Sequence, residues 1–239
     1  MFLYRTQTTQ RRGINIIGPI SFFSVVLMVI PLMGCASNRV ITDEAKLQMF
    51  SCNTQVQPQQ RVKLDLIDRY MKKNKYYAAL AHLEQEAEPS QEHWLKKGQL
   101  LAKTGQLEDS KKVFLALAEQ CNSAGGFHGM GMVSIKQKNY GQSLEYLKKA
   151  MFLDPASESI RNDLGYALML NGKYQEATVQ LRTALELGYQ DGPAKQNLAA
   201  AYILSGDTEG ISLLKSTYAL TEEETLFAQS MASHIGDFK

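Results

Sequence analysis

The residues best equipped for chemistry are the histidines His82, His93, His128 and His234, the cysteines Cys35, Cys52 and Cys121, and the glycine-rich run Gly125-Gly126-Phe127-His128-Gly129-Met130-Gly131. A zinc site built from a helix needs two histidines on one face, or a histidine with cysteines at short spacing. Neither spacing occurs, so no metal is expected. The glycine-rich run looks like a phosphate cradle, but it lacks the terminal Gly-Lys-Ser/Thr and no strand pattern precedes it. Glu84, Glu86 and Glu88 read as a solvated helix end, and no motif places a serine beside a histidine and an acid. The expectation is a protein that is not an enzyme and needs no cofactor.

Cys35 stands in a different context. Arg5, Arg11 and Arg12 precede an uncharged run from Gly13 to Asn38, mostly apolar from Ile14 to Met33, which is the pattern of an export signal. The run ends in Leu32-Met33-Gly34-Cys35, which resembles the lipobox of bacterial lipoproteins. That resemblance implies cleavage before Cys35 and lipid attachment to it. Met33 departs from the small or branched residue usual there. The competing reading is an uncleaved anchor, since about 20 apolar residues span a bilayer; Pro19 and Pro31 within the run weigh against it. Both readings place the rest of the chain outside the cytoplasm. Ala36 and Ser37, with no Asp at the second position, resemble lipoproteins sent to the outer membrane, where the chain would face the periplasm.

The expected organisation is a signal peptide over 1–34 and a lipidated cysteine with a polar tether over 35–59, clearest at Gln55-Val56-Gln57-Pro58-Gln59-Gln60. A helical array follows over 60–233, then a tail over 234–239. Cys52 and Cys121 can pair in an oxidising compartment or remain as two partly buried thiols, and the sequence does not choose. Charge excludes one class of partner. Without residues 1–34 the chain holds 23 basic residues against 24 acidic ones, and nothing suggests nucleic acid, which would need a basic face.

The array is visible as a period of 33 or 34 residues. A small residue recurs at Gly98, Gly131, Gly165 and Ala199, a second at Ser110, Ser143, Ala177 and Gly210, and a large apolar one at Phe114, Leu147, Leu181 and Leu214. Small residues about twelve apart let two helices approach as an antiparallel hairpin. Between them lie polar turns, Thr104-Gly105-Gln106, Gln137-Lys138-Asn139, Asn171-Gly172-Lys173 and Ser205-Gly206-Asp207, each suited to stop one helix and start the next. Asp154-Pro155 ends one unit.

This pattern resembles the tetratricopeptide repeat, most closely in residues 124–157 and 158–191. The resemblance implies an all-α solenoid of about five antiparallel helix pairs with a C-terminal capping helix. The outer units are 91–123, with Lys97 at a usual leucine place, a degenerate 60–89, and 192–220 with one residue lost. End units of solenoids are commonly atypical. Thr221-Glu222-Glu223-Glu224 reads as a capping box that opens the closing helix.

In this family the first helices of successive pairs line a concave surface. The resemblance places Leu95, Gln99 and Ala102 there, then His128, Met132 and Ile135, then Asn162, Tyr166 and Met169, then Gln196, Ala200 and Ile203. Met132, Ile135, Tyr166 and Met169 are too apolar for solvent alone. They suit a groove for an amphipathic helix or extended peptide, or a face filled by the chain's own tether or cap. The Lys and Asn pattern with which some family members clamp a C-terminal carboxylate is absent.

Lipobox, length and repeat number together make the chain similar to the TadD lipoproteins of the tight-adherence (Flp) pilus system, and more broadly to the tetratricopeptide pilotins of type IV pili. The segments Ile160–Leu168 and Gln196–Tyr202 carry that likeness. It implies an assembly factor for a secretin or another pilus subunit. A general periplasmic scaffold for envelope proteins is the other reading.

Overall fold

A computed structural model describes residues 50–85, 89–188 and 192–236. The expected signal peptide, Cys35, the tether up to residue 49, Glu86, Glu88 and the last residues of the tail lie outside the described residues.

Eleven helices are present among the described residues: α1 (Pro58–Lys72), α2 (Tyr76–Leu83), α3 (Gln91–Lys103), α4 (Leu107–Cys121), α5 (Ala124–Lys136), α6 (Tyr140–Leu153), α7 (Glu158–Leu170), α8 (Tyr174–Leu187), α9 (Pro193–Ser205), α10 (Thr208–Thr217) and α11 (Glu222–Gly236). The first ten form five consecutive antiparallel pairs, so the architecture is a tetratricopeptide-repeat solenoid with α11 as its cap. α1 begins at Pro58 rather than 60, and α11 continues past 233 to Gly236. A proline is well placed in a first helical turn, where its missing N–H is not needed.

Local chemistry sets the ends. The Ser123 hydroxyl accepts from Gly126 N–H, and Ser157 from Ile160 N–H, at 3.4 Å each. Thr221 and Glu224 exchange bonds of 2.9 and 3.2 Å as a reciprocal box that opens α11. The turn inside every pair has one form. Asn74, Gly105, Lys138, Gly172 and Gly206 all take positive φ. After each, the next residue's N–H bonds back to a carbonyl five positions earlier, for instance Gln106 to Leu101 at 2.9 Å and Asn139 to Ser134 at 2.8 Å. A left-handed residue at that position satisfies carbonyls that a helix end otherwise leaves unpaired.

The small and large columns meet inside each pair. A Cβ on Gly98 would lie 2.7 Å from the Phe114 ring, and one on Gly131 would lie 2.5 Å from Leu147. Ser110, at the second small position, is buried and donates to the Gly98 carbonyl at 2.8 Å. The last pair reverses the roles, since Gly210 of the second helix makes room for Tyr202 of the first. Leu117, Leu147, Leu181 and Ala184 are sealed from solvent. The buried apolar residues gather in two clusters, one running from Leu64 to Val133 and the other from Leu144 to Ile235, each made where pairs bury their apolar faces on their neighbours.

Two segments outside the pairs are tied to them. The Phe50 ring lies 4.9 Å from Trp94, the Gln91 N–H bonds to the Asn53 carbonyl at 2.7 Å, and Cys52 is disulfide-bonded to Cys121 with Cα atoms 5.3 Å apart. The described part of the tether thus crosses the start of α3 and the end of α4, not the inner face. At the other end α11 packs along α9 more than against its sequence neighbour α10.

Candidate functional site on the concave face

The direction of curvature follows from which helices touch. α3, α5, α7 and α9 contact one another in succession, whereas second helices of adjacent pairs have no comparable contact. First helices therefore lie on the inner, shorter side.

The inner face changes character along its length. Near the N-terminal end it is ionic: Arg61 meets Glu92 at 2.9 Å, and Lys96 meets Asp68 at 2.5 Å and Glu92 at 3.8 Å. In the middle, Met132 and Ile135 of α5 and Tyr166 of α7 are half-buried, with Gln99 exposed on one flank and Gln196 and Ile203 half-buried on the other. Burial, and then the neighbouring Tyr140, push the Tyr166 hydroxyl above its ordinary pKa. At neutral pH it is an uncharged group able to donate and accept.

A polar line stitches the last three first helices, α5, α7 and α9, together. His128 Nε2 lies 2.7 Å from Asp163 Oδ2, Asn162 Nδ2 donates to Asp163 Oδ1 at 3.1 Å, and Asn197 Nδ2 donates to Asn162 Oδ1 at 2.8 Å. Both cross-helix links join residues 35 apart, one period plus one.

Placement corrects part of the expected groove. Met169 has no exposed surface, Ala200 has none, and Asn162 is 6% exposed with its amide engaged as above. The period fixes the direction in which these residues point, but neighbouring helices close over them. Met169 and Asn162 form the wall behind the groove, and their side chains are not offered to a partner. His128, Met132, Ile135, Tyr166, Gln196 and Ile203 keep partial access, Leu95 and Ala102 are half-buried, and Gln99 is exposed.

Sequence reasoning did not single out Asp163 and Asn197, because the period of 33 or 34 relates neither to its partner 35 residues away. It also missed the buried Lys195, 5% exposed, whose Nζ lies 2.9 Å from Glu224 Oε1. Among the described residues no group of three or more His, Cys, Asp or Glu could hold a metal ion. The arrangement offers an apolar strip bordered by amides and an imidazole–carboxylate pair, which suits recognition of an amphipathic segment.

Residues 134–202 match the tetratricopeptide repeat family. TPR repeat-containing protein PA4299 of Pseudomonas aeruginosa is 25% identical over 185 residues, covering 77% of this chain and 75% of that protein. Among solved structures, YrrB, described as a TPR protein with an unusual peptide-binding site, superposes with a TM-score of 0.50 at 18% identity, covering 72% of this chain and 90% of its own. MamA from AMB-1 gives 0.46 at 21% identity, covering 73% and 92%. These structural likenesses concern the fold.

Proposed function

With a tetratricopeptide-repeat solenoid as the premise, we propose that this chain is a non-catalytic scaffold that holds an amphipathic segment of another protein against α5, α7 and α9. The observation that carries the reading is the half-buried strip of Met132, Ile135 and Tyr166, bordered by Gln99, Gln196 and the His128–Asp163 pair. Methionine adapts its shape to a ligand at low cost. Tyrosine supplies a large contact area with a polar tip.

In the finer form of the proposal, the scaffold is a lipid-anchored assembly factor on the periplasmic face of the bacterial outer membrane. Its partner is a secretin or another pilus-assembly subunit. The lipobox resemblance at Leu32–Cys35 and the likeness to the TadD lipoproteins support this form. A general periplasmic scaffold would use the same groove with a different partner.

The test replaces Tyr166 and Met132 together by Ala in the full-length protein. Truncating a central aromatic anchor commonly costs about 2 kcal/mol or more of binding, so partner capture by crosslinking in cells should fall while helix content persists. Met169 is left intact because its truncation would test the core. The pilus form further requires that a strain lacking the gene lose assembled secretin multimers. Normal secretin assembly in that strain sinks the finer reading and leaves the general scaffold.

A further inference from the structure

The two long edges of the solenoid differ in charge over the first three pairs. The turns inside the pairs lie on one edge, and they hold exposed lysines: Lys72, Lys73 and Lys75 at the first turn, Lys103 at the second, Lys136 and Lys138 at the third. The opposite edge, between pairs, exposes Glu84, Glu119, Asp154 and Glu186. Over the first four turns the edge is continuous, because each touches the one before it. Lys103 Nζ lies 6.0 Å from the Tyr76 ring, Lys136 Nζ donates to the Ala102 carbonyl at 3.4 Å, and Asn171 Nδ2 donates to the Tyr140 carbonyl at 3.0 Å.

The acids beside the first four turns are engaged, whereas Asp207 and Glu209 are exposed at the fifth, so the basic stretch ends before it. Glu108 accepts from Gln137, Asp109 pairs with Lys112 at 3.1 Å, and Glu176 pairs with Lys173 at 3.2 Å. Lys72, Lys103 and Lys136 have an ordinary reason to be where they are, since a cation suits the negative end of the helix dipole. Lys73, the C-cap of α1, shares that reason, whereas Lys75 and Lys138 lie outside the last helical turns and gain little from it. Lys138 moreover takes φ +61°, the left-handed conformation filled by Gly105, Gly172 and Gly206 in the equivalent turns. An L side chain there is strained relative to glycine, a cost set against the backbone bonds of Lys138 N–H to Ile135 and Asn139 N–H to Ser134 that close the turn. Such outliers are retained where function uses them.

We propose that this edge rests on an anionic phospholipid surface and holds the solenoid on its side. Lysines near a charged bilayer attract it additively. Tyr77, 72% exposed beside the first cluster, is a residue type that sits at headgroup level. The acidic far edge would be repelled, which fixes one orientation and leaves the concave face open sideways. No described helix is long and apolar enough to cross a membrane, so the contact is peripheral. Lysines spread over three successive turns suit a surface better than a short acidic peptide. The inference rests on no groove residue.

The test is acetylation of surface amines on the full-length protein, read lysine by lysine by mass spectrometry, with vesicles of phosphatidylcholine alone or mixed with phosphatidylglycerol. Lys73, Lys75 and Lys138 should lose reactivity severalfold only with the anionic vesicles and regain it at high salt, while Lys148 and Lys215 stay unchanged. Equal reactivity in both vesicles, or uniform protection of all lysines, overturns the proposal. Protection by a polyglutamate peptide but not by anionic vesicles would overturn it in favour of a protein partner. In the variant Lys73→Gln, Lys75→Gln, Lys138→Gly, the apparent affinity that protects Lys103 should fall on the order of a hundredfold, at about fivefold per lysine. The same variant should unfold no earlier than the parent, and undiminished protection of Lys103 in it would overturn the proposal. Tyr166→Ala should leave the lysine protection intact, which separates this inference from the groove.

Discussion

Lys195 of α9 and Glu224 of α11 meet at 2.9 Å with their side chains only 6% and 19% exposed, so one ion pair fastens the cap to the last repeat. Burial alone would push the Glu224 carboxyl up. Hydrogen bonds from the Thr221 backbone and from Lys195, with the charge of Lys195, outweigh burial and hold it below the ordinary carboxylate range. Glu224→Ala would strand a buried ammonium and lower stability by about 2 kcal/mol, less than for a fully enclosed pair because the carboxylate retains some exposure. Thermal unfolding of the variant against the parent measures it.

The same carboxylate gives a pH dependence with a definite sign. Its pKa is lower folded than unfolded, so its contribution is present above the ordinary carboxylate range and is lost as pH falls through the lower, folded value. Acid titration should therefore loosen α11 before the central repeats. Amide exchange across residues 222–236 should accelerate on acidification, after correction for intrinsic rates, in the parent and much less so in Glu224→Gln.

Gly165→Ala should cost about 1–3 kcal/mol, because the new Cβ falls on the Leu181 side chain of the paired helix. Adding Leu181→Ala vacates that space. The double variant should then be more stable than the sum of the two single changes predicts, and a double-mutant cycle in thermal unfolding reads the coupling directly. Strict additivity would mean that the two residues do not share the contact.

The Cys52–Cys121 bond closes a loop with a sequence separation of 69. In the chain-entropy account a loop of that size is worth about 4 kcal/mol, with measured effects commonly about 2–4. Cys52→Ser with Cys121→Ser should lower the unfolding midpoint in denaturant by a corresponding amount, and reductant should have no further effect on that variant.

Anchoring is tested by Cys35→Ser. The parent should incorporate labelled acyl chains and fractionate with the outer membrane, and the variant should do neither. A parent that is never labelled, alongside a Ser variant that stays in the outer-membrane fraction, removes the lipoprotein reading.

Much of the fold was legible because stacking imposes a period that composition cannot hide. Gly98, Gly131 and Gly165 face Phe114, Leu147 and Leu181 as their columns imply, and the Thr221–Glu224 box stands where its four letters place it. The groove was legible only in direction. Periodicity gives the angle at which Met169 and Ala200 leave the helix axis, whereas their burial depends on how closely α7 and α9 approach their neighbours, which no single repeat encodes. Lys195 was opaque for a related reason. Its partner is in α11, a helix that departs from the path of the stack, so no repeat register relates the two.

The cross-link also decides how the molecule bears force. A pull on the chain preceding Phe50 passes through the Cys52–Cys121 sulfurs to the end of α4 and on toward α5, and α1 to α4 form a closed side loop whose backbone is bypassed. The first two hairpins can open under load or thermal fluctuation without letting go of the line, while the repeats from α5 onward take the tension.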